Sequence, residues 1–303
     1  ARRWRARSAA TTTRGDAFDG EIWKHHGEFD RKRSNIDGAI NRHITDFLHA
    51  SDIPATSKPV RQRHHAGPAL CGACRAMRQK PYGAGDLIWM YNDCWPETGW
   101  TIIDYYLTRK ISFYFLKRAF QPRKLIIRKA EGGARVTVIN ETPEPITAEI
   151  TCGYMTFDGK TESLCTKTVE AAPHSWQQFD LAVCNDLQNG SHLSSSAEGF
   201  DTADSLRAYY RDYVFPESHA KIEAVEQDGN DLLVTVSADV YTPFAYLMTS
   251  DDRVHYSDNY FTLYPNEKKT IRVENCTETP ALHIAKTMPS DEAQKASYTD
   301  SWF

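Results

Sequence analysis

The spacing of apolar positions changes several times along this chain, and each change marks a boundary. Residues 1–20 have no period; rich in Arg, Ala and Thr, they predict a disordered basic arm. Over residues 34–49, Ile36, Ala39, Ile40, His43, Ile44, Phe47 and Leu48 recur at intervals of three and four, the signature of an amphipathic helix. Pro54, Pro59 and Pro68 then break any helix, and Arg61–His65 is polar without pattern. Pattern returns near Cys74. The turn Pro81–Gly85 leads into Leu87–Tyr91, which predicts a buried strand ending in Asn92 and Asp93 and followed by Trp95–Pro96. Arg109–Phe120 predicts a helix, with Ile111, Tyr114, Phe115 and Ala119 on one face, Lys110, Lys117 and Arg118 elsewhere, and Pro122 as the stop.

From Lys124 the period is two. Leu125–Ile127, Arg135–Ile139, Ile146–Tyr154, Leu164–Val169, Ser175–Leu181 and Leu206–Val214 predict strands, with turns at Glu131–Gly133, Glu141–Pro145 and Asp158–Gly159. Asn185–Ser205, full of Ser, Asn, Gly and Asp, predicts a long loop. Strands at this spacing suggest an immunoglobulin-like sandwich over 122–216. Beyond Pro216, Lys221–Glu226, Asp231–Ser237, Phe244–Thr249 and Lys269–Val273, with a hairpin turn at Asp228–Asn230, predict a smaller sandwich over 217–275. Residues 276–303 read as a tail without an element.

Two motifs carry a family resemblance. Asn92-Asp93-Cys94-Trp95-Pro96, Trp100, Ile103–Tyr106, Tyr114-Phe115 and Lys117–Phe120 resemble the last strand and helix of the β-mannosidase branch of the family 2 glycoside hydrolases. Tyr256–Phe261 and Leu263–Pro265 resemble the closing immunoglobulin-like domain of the same enzymes. The resemblance covers residues 81–275 well and 21–47 weakly. It implies a mixed fold: the last one or two α/β units of a TIM barrel over 21–121, then the two sandwiches. Polar and aromatic groups ending a barrel strand face the active site in such a fold.

The chemistry implied is retaining removal of terminal β-D-mannose from an oligosaccharide, with no metal or organic cofactor. Retention needs two carboxyl groups about 5–5.5 Å apart. The resemblance places both glutamates upstream of the last barrel strand, in an upstream barrel missing from these residues, so the chain alone is expected to be inactive. Its substrate-binding candidates are Trp95, whose indole face would wall the mannose subsite, and the rim residues Asn92 and Asp93. Trp100 and Asp104 read as packing and loop-fixing residues. Asp93 and Glu97 are the carboxylates beside Trp95, but their spacing is that of chance. Tyr256, Tyr260, Phe261 and Tyr264 could form a sugar-binding face; alternation along a strand favours a core role for half of them. A non-catalytic carbohydrate-binding or scaffold module is the alternative reading.

Composition changes this picture little. Apolar content of 41% and charged content of 25% are those of a soluble globular protein, and no apolar run is long enough to span a bilayer. The net charge of −4 is uneven: residues 1–80 hold 16 Lys and Arg against 8 Asp and Glu, leaving 20 against 32 for the rest. A basic arm can bind nucleic acid, but these arginines have neither helical register nor interleaved aromatics, so no nucleic-acid partner is expected. Seven scattered cysteines argue against a disulfide framework and for a reducing compartment or unpaired buried thiols; a cytoplasmic or periplasmic location is expected. Cys71 and Cys74, with His64 and His65, could supply four zinc ligands, though the spacing fits no common finger. Residues 50–73, and 1–17, depart from the surrounding pattern as a lineage-specific loop or a shifted reading frame would.

Overall fold

The computed structural model describes residues 78–79, 83, 85–94, 101–131, 133–182, 191–206, 213–249, 254–265, 267–276 and 282–285. After helix α1 (Ile111–Ala119) come β1 (Arg123–Ala130), β2 (Gly133–Asn140), β3 (Ile146–Thr156), β4 (Thr161–Ala171), β5 (Ser175–Ala182), β6 (Ser191–Ser196) and β7 (Ala203–Ser205). These seven strands make two antiparallel sheets, ordered β1-β2-β5 and β4-β3-β6-β7. The inner faces form one core. In β3, Ile146, Ala148, Ile150 and Cys152 are buried while Thr147, Glu149 and Thr151 are exposed, the alternation of a strand with one dry face.

The second sandwich comprises β8 (Lys221–Asp228), β9 (Asp231–Ser237), β10 (Thr242–Thr249), β11 (His255–Tyr256), β12 (Phe261–Leu263), β13 (Lys268–Glu274) and β14 (Leu282–Ala285). Its sheets are ordered β11-β13-β9-β8 and β12-β10-β14. Leu232, Val234 and Val236 of β9, with Ile271 of the neighbouring β13, face Leu247, Phe261 and Leu263 of the other sheet in its core. Asp228 pairs with Asp231, so β8 and β9 meet across Gly229–Asn230, where Gly229 takes the positive φ (62°) that such a tight turn requires. β10 is buried along nearly its whole length: outside the core, Phe244 meets Phe115 of α1 at 5.7 Å, ring to ring, and Tyr246 stacks on Tyr260 at 5.1 Å.

Several sequence expectations fail. Leu87–Tyr91 is no buried strand: Leu87, Trp89 and Tyr91 are 96%, 82% and 56% exposed. A parallel barrel strand is buried by neighbours on both edges and both faces. Among the described residues the segment's ladder contacts reduce to the bridge Asn92–Ile103, with Tyr91 O accepting from Ile102 N and Ile103 N. Asn185–Ser205 is not one loop, since it contains β6 and β7; Ser-rich β6 is held by backbone pairing to β3 and shows no apolar alternation to read. The turn at Glu141–Pro145 holds but closes no hairpin. It carries the chain from β2 in one sheet to β3 in the other. Leu206, Tyr213 and Val214 are not in strands, and 207–212 lie outside the described residues. Leu282–Ala285, read as tail, pairs with Tyr246–Thr249. Among the described residues, no helix is long and apolar enough to cross a membrane.

Candidate functional site

The predicted rim of Asn92 and Asp93 is built by the segment that runs into α1. Asp93 N donates to Ile103 O at 3.0 Å and Lys110 N to Ile102 O at 2.9 Å, so residues 91–93, 101–103 and 110 form one hydrogen-bonded layer. Asp104 closes the loop between them, its Oδ1 accepting from Tyr106 N and Thr108 N at 2.9 and 2.8 Å, the loop-fixing role expected of it.

Within that layer Asp93 is 1% exposed. Its Oδ2 lies 2.7 Å from the Lys110 ammonium, and its Oδ1 accepts from the Thr101 hydroxyl, which in turn accepts from Lys110 Nζ at 2.5 Å. A buried carboxylate is tolerated only with such a partner. The group anchors the rim and is closed to solvent. Asn92 is exposed, with its Nδ2 donating to Asp93 O at 3.3 Å, so its carboxamide remains accessible from outside. Trp95, Glu97 and Trp100 lie outside the described residues, as do His64, His65, Cys71 and Cys74. Among the described residues no group of His, Cys, Asp and Glu could hold a metal ion. Lys110 and Thr101 are the rim residues the sequence did not announce; a lysine just off the apolar helix face looks like any solvated one.

A second concavity lies where α1 and both sandwiches meet. This cleft, of about 1100 Å³, is lined by Arg118, Glu149, Asp201, Glu267 and Lys269 among others. Burial raises the Asp201 carboxyl, but Lys269, Gln121 (Nε2 at 2.6 Å), Lys124 and Arg118 more than offset it and hold it below the usual range. Burial pushes Glu267 above that range, against a hydrogen bond from Thr202 (3.1 Å) and the charge of Lys269. Nothing in the sequence brings these groups together, since Asp201 falls in a stretch read as loop. The aromatic motif residues serve packing: Phe261 and Tyr264 are buried, and Tyr260 lies against Tyr114 and Tyr246 at 6.0 and 5.1 Å.

Comparison with known proteins adds to this geometry. The mannosidase immunoglobulin-fold domain (Ig_mannosidase, Ig-fold domain) matches residues 216–287. Beta-mannosidase B of Thermothelomyces thermophilus is 25% identical over 282 residues, spanning 81% of this chain and 33% of that protein. Beta-mannosidase B of Emericella nidulans is 42% identical over a shorter stretch of 45 residues. The crystal structure of a beta-D-mannosidase from Dictyoglomus thermophilum superposes with a TM-score of 0.75 and 25% identity, covering 86% of this chain and 33% of the other. An exo-chitosanase from Amycolatopsis orientalis shares the fold, with a TM-score of 0.59 at 16% identity over 81% of this chain and 35% of its own. This chain therefore spans about a third of the length of the relatives it matches.

Proposed function

We propose that this chain, which is β-mannosidase-like and corresponds to the C-terminal region of such glycoside hydrolases, serves as the C-terminal part of an exo-acting enzyme that removes terminal β-D-mannose with retention. The observation that carries the reading is the extent of the similarity, which reaches across 81% of the chain and is not confined to a common sandwich. In this reading Trp95 and Asn92 contribute to the sugar subsite, and the buried Asp93–Lys110 pair fixes the backbone from which both project. The two catalytic glutamates belong to barrel residues outside this chain. The exposed side chains of Leu87, Trp89 and Tyr91 support that assignment, because an apolar row of this kind is what the remainder of a barrel would cover.

The test is hydrolysis of a chromogenic β-mannoside by the 303-residue chain, beside a version extended upstream to the length of the relatives. Turnover by the long protein alone is expected. Turnover by the short chain would overturn the reading. A second reading, a carbohydrate-binding module without turnover, draws on the polar cleft between the sandwiches. It requires saturable binding of mannosides by the short chain that Glu267→Gln or Lys269→Ala weakens.

A further inference from the structure

Scattered cysteines suggested no disulfide, but the strand register sets two of them face to face. Cys152 of β3 pairs directly with Cys165 of β4. Opposed residues in an antiparallel pair have Cα atoms about 4.5 or 5.5 Å apart. Both values fall within the roughly 4.4–6.8 Å that disulfides span. The two side chains also share a face. Cys152 continues the buried run Ile146, Ala148, Ile150, and Cys165 packs against the same core.

We infer that Cys152 and Cys165 are a disulfide-forming pair, oxidised within the folded first sandwich by a small-molecule disulfide such as oxidised glutathione. The two thiols are unequally placed. Cys152 is wholly buried, with its Sγ 3.2 Å from Ser195 Oγ, whereas Cys165 is half-buried on β4, the outermost strand of its sheet. An oxidant therefore reaches Cys165 first. Burial also pushes the Cys152 thiol up to about 11, so at neutral pH it is a poor first nucleophile. The register slips by one residue between Cys152 and Gly153, and a bulge beside the pair gives the strands local room to adjust.

The exchange balances in two steps. The Cys165 thiolate attacks one sulfur of glutathione disulfide; a Cys165–glutathione bond forms, the glutathione S–S bond breaks, and one glutathione thiolate leaves. Cys152 then attacks the Cys165 sulfur, its proton passing to the second departing glutathione. The protein loses two hydrogens and two electrons, and one glutathione disulfide becomes two glutathione thiols.

The folded full chain is incubated with glutathione disulfide, its remaining thiols are alkylated, and the digest is analysed by mass spectrometry without reduction. The expected result is a peptide carrying Cys152 joined to a peptide carrying Cys165, two hydrogens lighter than the free pair and separated by dithiothreitol. Cys152→Ser should instead accumulate the glutathione adduct on Cys165. A stable glutathione adduct on Cys165 of the unaltered chain, linkage of Cys152 to another cysteine, or no reaction of either thiol would each overturn the inference.

Discussion

Asn259 sits two residues back from Phe261, opposite Leu247 in the register that pairs Phe261 with Ala245, yet its backbone has already left the strand. Its side chain takes over: Oδ1 accepts from Leu247 N at 2.8 Å and Nδ2 donates to Leu247 O at 3.0 Å. Tyr260, at φ 54°, turns the chain away. Because Asn259 is 3% exposed, water does not readily replace it. Asn259→Ala should cost about 2–4 kcal/mol, the price of leaving a buried N–H and C=O unpaired, read as a lower urea midpoint. Asn140 does similar work between the sheets of the first sandwich, its buried Nδ2 donating to Glu144 O, Ala171 O and Ala172 O. Glu267 and Asp201 respond oppositely to pH. The folded pKa of Glu267 stands above its ordinary value, so its contribution to stability is complete below pH about 4 and is lost as pH rises through the folded pKa. Glu267→Gln should raise the thermal midpoint at pH 7 and leave it unchanged at pH about 3. Asp201, held below its ordinary value, stabilises above pH about 4 and loses that contribution on acidification, so Asp201→Asn should lower the midpoint at pH 7.

At the scale of elements, α1 is a docking helix whose basic residues read backbone. Arg118 donates to Asp258 Oδ1, to Asn259 O and to Tyr260 O, the last two at 2.9 Å each; Lys117 Nζ reaches Ser257 O at 2.6 Å, and Arg109, just before the helix, reaches Tyr256 O at 3.0 Å. The Arg118 guanidinium also lies 4.6 Å from the Phe115 ring centroid. Arg118→Ala breaks a mostly buried ion pair, though Lys269 Nζ stays 3.1 Å from Asp258 Oδ2, and should cost about 3 kcal/mol, the low end for such a pair. Arg118→Lys should recover little, since an ammonium cannot span three acceptors as a planar fork does; denaturant midpoints for both variants check this. These contacts join the two stretches that carried the family resemblance, Lys117–Phe120 and Tyr256–Phe261. Those motifs were legible because each is dense in aromatic and charged residues, but their mutual contact was not, because a hydrogen bond to a carbonyl leaves no mark on the acceptor's sequence. Strands with alternating burial, such as β3 and β9, were legible for the same local reason. β6 and β14 were not, since pairing to a neighbour holds them while their own residues show no sustained alternation. The rim was half legible: Asn92 and Asp93 stood out as polar groups ending an apolar run, whereas the burial of Asp93 depends on Lys110 and Thr101, which the chain brings in only after a loop.

The two sandwiches are joined by rings. Phe157, in the β3–β4 turn, stacks on Tyr241 at 5.2 Å and lies 4.9 Å from Phe215, while Tyr264 meets Tyr241 edge-on at 5.8 Å. Backbone and side chain tie the same point, with Tyr241 N donating to Phe157 O at 2.8 Å and Tyr241 Oη to Asp204 Oδ2 at 2.6 Å. Phe157 belongs to the first sandwich by sequence, but its burial is supplied by the linker residue Phe215 and by the second sandwich. Each sandwich retains its own core without this cluster, so the rings determine whether the two unfold together rather than whether either folds. Phe157→Ala should cost about 3–5 kcal/mol, as removal of a buried aromatic side chain does, and the loss should fall on the coupling. Calorimetry reads this directly. The unaltered chain should melt both sandwiches in one transition and Phe157→Ala in two, whereas a substitution inside one core, such as Val234→Ala, should move the melting of the whole unit without splitting it. Two transitions in the unaltered chain would mean that the cluster packs the sandwiches side by side without making them one cooperative body. In the proposed hydrolase the coupling would bear on the sugar subsite, because α1 leads directly from the rim at Asp93 and Lys110 to the second sandwich. A rim anchored to a rigid two-sandwich base is held in place across the whole molecule, whereas one anchored to a loosely hinged sandwich would follow its motion.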